Sequence, residues 1–173
     1  MNTLKQISAL IIPAALLLLA FGNNSCNIYK FRDISIPDTI KTVKVNFIEN
    51  RATYINPQLS PQLTDKLRQK IVSQTRLRQT NGDNADWEIN GTITDYGFST
   101  SGISNNQTST NRITVAVHII LNDQKAGKTT EYDVSRNFDF PSSQTLQQAE
   151  GNLLTEMIRG ITDDVFNRLF SNW

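Results

Sequence analysis

The strongest pattern along the chain is an alternation. Ile113, Val115, Val117, Ile119 and Leu121 take every second position, the period of a strand with one buried face. Val43, Val45 and Phe47 repeat the pattern within Thr42 to Ile48 and predict a first strand with those three residues on the core side. Trp87, Ile89, Gly91 and Ile93 share one parity before the large residues switch to Tyr96 and Phe98, which predicts a strand with a bulge near Thr94 and Asp95. Tyr132, Val134, Phe138 and Phe140 predict a fourth strand, its parity interrupted by Arg136. Asn122 to Lys128, with Asp123 and Gly127, supplies the hairpin that leads into it.

Two stretches have helical spacing instead. Leu63, Leu67 and Ile71 recur at every fourth position after Leu59, and Ser60-Pro61 reads as a cap followed by a first helical residue. From Ser143 onward Leu146, Ala149, Leu153, Met157, Ile161, Val165 and Leu169 predict a long closing helix. Ser99 to Asn111 has Ile103 as its one strongly apolar residue and predicts a long mobile loop. The order strand, helix, three strands, helix predicts an α+β class, a two-layer sandwich of a four-stranded mixed sheet with two helices packed on one face. The first strand and its helix imply a crossover to a parallel neighbour, and the rest a meander.

The N-terminus sets the expected compartment. Lys5 precedes an apolar run from Ile7 to Phe21 in which Ser8 is the one polar residue. Its 15 residues suit a signal peptide and fall short of the roughly 20 that a bilayer span needs. Cys26, the one cysteine, follows soon after, with Ser25 before it. That placement predicts lipidation at Cys26, and several acyl chains hold firmly because each buried methylene contributes about 0.8 kcal/mol. Asn23 stands where a lipobox ordinarily has an aliphatic residue, so secretion with a free Cys26 is the alternative. The expected division is a signal peptide over 1–25, a lipidated tether over 26–40 containing Pro37, and a single α+β domain over 41–173.

Composition narrows the function. Lys plus Arg is 17 and Asp plus Glu 16, a balance that excludes a generic polyanion binder such as a nucleic-acid-binding protein. One Cys and one His exclude a disulfide framework and a Cys/His zinc cluster. His118 lies on the parity opposite to Val115, Val117 and Ile119 and reads as a structural histidine. Asp163 and Asp164 are adjacent on a helix and point to different sides. Asp83, Asp86 and Glu88 lack the order of a calcium loop. No catalytic residue, metal or cofactor is expected. Asn, Gln, Ser and Thr total 60, which reads as a hydrated extracytoplasmic surface.

Charge is unevenly spread. Ten basic and four acidic residues lie between Lys30 and Arg78, against six basic and twelve acidic from Gln79 to Trp173. The first helix and its end gather Lys66, Arg68, Lys70, Arg76 and Arg78, either a solvated helix face or a docking surface for phosphate-bearing lipid or an acidic partner.

Several short stretches carry a resemblance: Cys26-Asn27-Ile28-Tyr29-Lys30-Phe31, Ser35-Ile36-Pro37, Lys41-Thr42-Val43, Asn50-Arg51-Ala52, Asn56-Pro57, Leu59-Ser60, Ser73-Gln74-Thr75-Arg76-Leu77 and Gly91-Thr92-Ile93-Thr94-Asp95-Tyr96. With them the chain resembles the LptE-like lipopolysaccharide-assembly lipoproteins of Bacteroidetes-type bacteria. The resemblance implies a lipid-anchored protein on the periplasmic side of the outer membrane that plugs and helps assemble the lipopolysaccharide-inserting barrel LptD. An amide-rich neutral domain suits such a polar lumen. Arg76 and Arg78, with Lys125 and Lys128 on either side of Gly127, then become candidate lipopolysaccharide-binding residues. The rival readings are a periplasmic binding or adaptor module of another envelope complex, and a degraded hydrolase.

Overall fold

Apolar positions on one side of three long strands dictate the architecture, because that side has to be covered. The computed structural model describes residues 36–104 and 107–171. Its elements are β1 (Thr42–Val45), β2 (Glu49–Asn50), α1 (Leu59–Gln74), β3 (Arg78–Gln79), β4 (Trp87–Ser104), β5 (Gln107–Asp123), β6 (Lys128–Pro141) and α2 (Leu146–Phe170). Contacts divide the chain into Met1–Arg32 and Asp33–Trp173, and the described residues all lie in the second unit. The expected signal peptide, Cys26 and the tether as far as Ser35 lie outside the described residues.

The strand order is β3-β1-β4-β5-β6, with β2 also paired to β4. β4, β5 and β6 form the antiparallel meander, and β1 lies parallel to both β3 and β4. Ile89, Ile93, Ile113, Val115, Val117 and Ile119 are buried beneath Leu59, Leu63, Leu67, Ile71, Met157, Ile161 and Phe170 of the helices. The fold is thus the α+β two-layer arrangement, with six strands rather than four. The two extra strands have two residues each, too short to leave a periodicity in the sequence.

Both helices run the same way. Asn56, just before α1, contacts Glu150 near the start of α2, and further along Lys70 Nζ lies 2.5 Å from Asp163 and 5.0 Å from the Phe166 ring. The C-termini of α1 and α2 therefore point to the end of the sheet where β4 begins, and there Phe170 packs on Trp87 at 6.0 Å.

Three local expectations are corrected. The first strand stops at Val45, and Phe47 is 54% exposed while Ile48 is buried. The backbone leaves the ladder at this point, the Ile48 N–H donates to Thr64 Oγ1, and Ile48 sits over Gly91, where a Cβ would come within 2.9 Å of it. Ser60 is not the cap of α1. It lies inside the first turn, and Pro61 still loses no hydrogen bond there because first-turn amides have no helical acceptor. Before it, Asn56 provides the turn, its side-chain oxygen accepting from the Gln58 N–H at 3.0 Å. The expected loop over Ser99 to Asn111 is instead the far part of the β4–β5 hairpin, paired from Ser99 with Arg112 to Ser104 with Gln107. Polar side chains on both faces hide such a ribbon from a hydrophobic pattern. The bulge falls where the parity switch put it, between Ile93 and Asp95.

A buried carboxylate joins the layers at the opposite end. Glu150 accepts from Tyr96 Oη at 2.7 Å, Asn56 Nδ2 at 3.3 Å and Tyr54 Oη at 3.2 Å. Burial, reinforced by this carboxylate, pushes the Tyr96 phenol well above its ordinary 10.0. Replacing Glu150 by Ala leaves Tyr96 and Asn56 without an acceptor and is expected to cost about 2–3 kcal/mol. Glu150→Gln, which keeps one acceptor oxygen, should lose less than half of that. Urea unfolding of the two variants checks the order, and a Gln variant as unstable as the Ala variant contradicts it.

Candidate functional site

The pairing register brings the sequence-predicted cations to one end of the sheet. Arg78 of β3 lies opposite Thr42 of β1, Val43 opposite Trp87 of β4, Trp87 opposite Asp123 of β5, and Asp123 opposite Lys128 of β6. Arg76 follows the cap of α1 and stands beside Arg78, and Lys125 lies in the turn before β6. Lys41, which the sequence did not single out, joins them because it immediately precedes β1. Its place beside Arg78, whose N–H donates to the Lys41 carbonyl, follows only from the parallel pairing of β1.

Asp86 is the centre of this end. Its Oδ2 accepts from the backbone N–H groups of Lys41 at 2.7 Å and Thr42 at 2.9 Å, and its Oδ1 lies 3.2 Å from Lys125 Nζ. Its own N–H donates to Thr42 Oγ1, and its carbonyl accepts from the Gln124 N–H. One aspartate thus ties the entry to β1, the start of β4 and the β5–β6 turn. The Lys41 backbone donor above all, helped by Thr42 and Lys125 against partial burial, holds the carboxyl at about 2. The turn itself is closed by Asp123, which accepts from the N–H groups of Lys125 and Ala126, and by Gly127 at φ +62°.

The four candidate cations are not equivalent. Arg76 is engaged, with Nη1 2.6 Å from Asp38 and Nη2 donating to the Ile36 carbonyl at 2.6 Å. Lys125 is shared with Asp86. Arg78, Lys128 and Lys41 are exposed, and their side chains have no ion pair among the described residues. Cations here also oppose the partial negative charge of two helix C-termini, α2 ending with Arg168 in its last turn. Arg68 and Lys70 of the helix cluster face inward: Arg68 donates to the Val45 carbonyl and Lys70 pairs with Asp163.

The second surface is the bare face of the sheet, and its polar groups largely satisfy one another. Asn46 Nδ2 donates to Glu88 at 2.6 Å and Asn90 at 2.7 Å, Thr114 bonds Asn137 at 2.9 Å, and Arg112 makes two bonds to Asp139. His118 lies on this face with Nδ1 2.8 Å from Asp133 and Nε2 3.6 Å from Glu131, partners that neighbouring sequence positions do not reveal. Asp164 is paired with Arg136, and Asp83 with Lys44. Among the described residues no group of three His, Cys, Asp or Glu side chains is placed to hold a metal ion, and no helix is long and apolar enough to cross a membrane.

Comparison with known proteins gives one sequence-level match. The model of the LptE family, described as lipopolysaccharide-assembly, matches residues 40–169. No curated protein matches the chain. Among solved structures, the hypothetical protein CT253 from Chlamydia trachomatis superposes with a TM-score of 0.49 and 10% identity, over 76% of this chain and 99% of that one. The uncharacterized lipoprotein B from Nitrosomonas europaea gives 0.48 and 15%, over 80% and 84%. The rare lipoprotein B from Shewanella oneidensis gives 0.46 and 9%, over 75% and 90%.

Asp86 yields a pH prediction. Its folded pKa is lowered from 3.8, so its stabilising contribution is complete above that value and is lost as pH falls toward about 2. Asp86→Asn, which keeps the shape but removes the charge, is expected to cost on the order of 2 kcal/mol at pH 7 and to flatten stability between pH 4 and pH 2 relative to the parent. Urea midpoints across that range measure both effects. An unchanged acid slope in the variant assigns the acid sensitivity to other carboxylates.

Proposed function

The chain belongs to the LptE family of lipopolysaccharide-assembly proteins, and from that premise we propose that it is a lipid-anchored outer-membrane lipoprotein serving an LptD-like barrel from the periplasmic side. Cys26 is the proposed site of lipidation. The role is scaffolding without catalysis: the domain occupies and braces the barrel through which lipopolysaccharide passes.

The observation that carries the partnership, beside the family, is the bare sheet face. A sheet covered on one side by two helices presents on the other a polar layer of hydroxyls and amides, in which Lys44 pairs with Asp83, Arg112 with Asp139 and His118 with Asp133. Such a face suits the polar, hydrated inner wall of a barrel. Direct contact with lipopolysaccharide is proposed at the opened end of the same sheet, by Arg76, Arg78, Lys125 and Lys128. Among the described residues, Arg78 and Lys128 have no ion-pair partner.

Two experiments test this reading. Thr92→Glu with Ala116→Glu adds unmatched charge to the bare face, since the residues opposite them in the ladder are Glu49 and Asp95. It should reduce co-purification with a large outer-membrane barrel by more than about tenfold while the melting temperature holds, because a charge buried without a partner is strongly unfavourable at an interface. Retained co-purification moves the contact to another surface. Labelled palmitate should be incorporated by the parent and not by Cys26→Ala, and equal labelling removes the anchor from the proposal.

A further inference from the structure

β4 is covered along only part of its outer side. There β1 pairs with Trp87 to Ile89 and β2 with Thr92 and Ile93, and the Arg51 N–H ends the pairing on the Ile93 carbonyl at 2.9 Å. The chain then crosses to the helix layer, where Tyr54 lies on Tyr96 at 5.4 Å and Asn56 meets Glu150. β4 runs on to Ser104 and, among the described residues, has β5 as its one partner over that length. The bulge decides which backbone groups are left open. Ile89 and Ile93 turn their carbonyls outward, to Asn46 and Arg51. Backbone direction alternates along a strand, and the extra residue between Ile93 and Asp95 shifts that alternation by one. Past it Tyr96, Phe98 and Thr100 face outward, and no described residue bonds their N–H and C=O groups on that side.

An edge of this kind is ordinarily blunted by charge, by proline or by shortness. The β6 edge carries Lys128, Glu131, Asp133, Arg136 and Asp139, whereas Tyr96 to Ser104 holds no charged residue and no proline. Its helix-side face is also apolar and partly uncovered. Phe98 is 54% exposed with its ring 5.9 Å from Phe140, and Tyr54 and Ile55 are exposed beside Tyr96. On the bare face, by contrast, Ser101 hydrogen-bonds Asp139.

From the open, uncharged edge and the aromatic shelf beside it, we infer that β4 receives an added strand over Tyr96 to Thr100, supplied by an extended amphipathic segment of the barrel partner. Main-chain bonds at Tyr96, Phe98 and Thr100 hold the segment, and the shelf selects bulky apolar residues at its alternate positions. The polar side of the segment continues the bare face, so the two contacts form one surface. The inference deepens the proposed partnership and rests on it only in naming the barrel as the source of the strand.

Hydrogen exchange of the full chain, alone and co-purified with the barrel, tests it. The amides of Tyr96, Phe98 and Thr100 should exchange at least about tenfold more slowly in the complex, as newly paired strand amides do. Thr100→Pro removes one outward N–H and no bond within the fold, a change that a solvent-facing edge position tolerates. It should weaken co-purification about tenfold, equivalent to about 1.4 kcal/mol, while Thr100→Val, which keeps the N–H, binds like the parent. Phe98→Lys sets a charge on the shelf and should weaken binding at least as much, whereas Gln69→Lys sets the same charge on the exposed side of α1 and should leave it unchanged. Melting temperatures check the fold of each variant, and a fall in Thr100→Pro leaves the exchange measurement and Phe98→Lys to decide. A retained barrel with unprotected amides, or with binding undiminished in Phe98→Lys, overturns the added strand and leaves the partnership standing. A parent that brings down no barrel overturns the partnership and with it the source of the strand. A free chain that sediments as a dimer and becomes monomeric in Phe98→Lys gives the edge to a second copy and likewise overturns the inference.

Discussion

Everything in this domain follows from one sidedness. The buried apolar residues of β4, β5 and β6 fall on one face, with only Ala116 and Ile120 of β5 on the other, so both helices must lie there, and the connection through β3 returns the chain parallel to β1. Two helices on one face, each entered from the same end of the sheet, run in the same direction, and their dipoles add rather than cancel. A layer of two parallel helices therefore carries an electrostatic direction, and the basic residues that follow α1 and close α2 lie at its negative end. The cationic end and the bare face are two results of a single packing requirement.

Asp86 makes the two halves of the sheet one unit. β1 has four residues and meets β4 in only three register pairs, too few to hold a strand by ladder bonds alone. A carboxylate that takes two amides at the start of β1 while reaching Lys125 in the β5–β6 turn replaces the missing ladder with charge-assisted bonds. Far from it, Glu150 does comparable work with neutral donors, so each end of the sandwich is fastened by one acid of different electrostatic character.

How much of this was legible in the sequence depended on how local the cause was. The long strands, the bulge at Ile93 to Asp95, the turn at Gly127 and the closing helix were readable because each follows from neighbouring residues. Phe47 and Ile48 exchanged roles because a contact from Thr64 and the space above Gly91, both distant in sequence, decide which of them turns inward. The polar hairpin beyond Ser99 was hidden because backbone pairing alone makes it, with no apolar stripe to announce it. For the candidate site, Arg76, Arg78, Lys125 and Lys128 were visible as charges near turns, but their assembly at one end, the capture of Arg76 by Asp38, and the inclusion of Lys41 all require the parallel pairing of β1.

β6 is the outer strand of the meander, with 14 residues and a partner on one side only. An edge of that length is ordinarily a template on which another chain adds a strand. Lys128, Glu131, Asp133, Arg136 and Asp139 are exposed along it, Pro141 ends it, and at the other margin the Val45 carbonyl is already taken by Arg68. These charges and the occupied carbonyl oppose the addition of a strand from another copy, and with it the growth of a ribbon into a fibre.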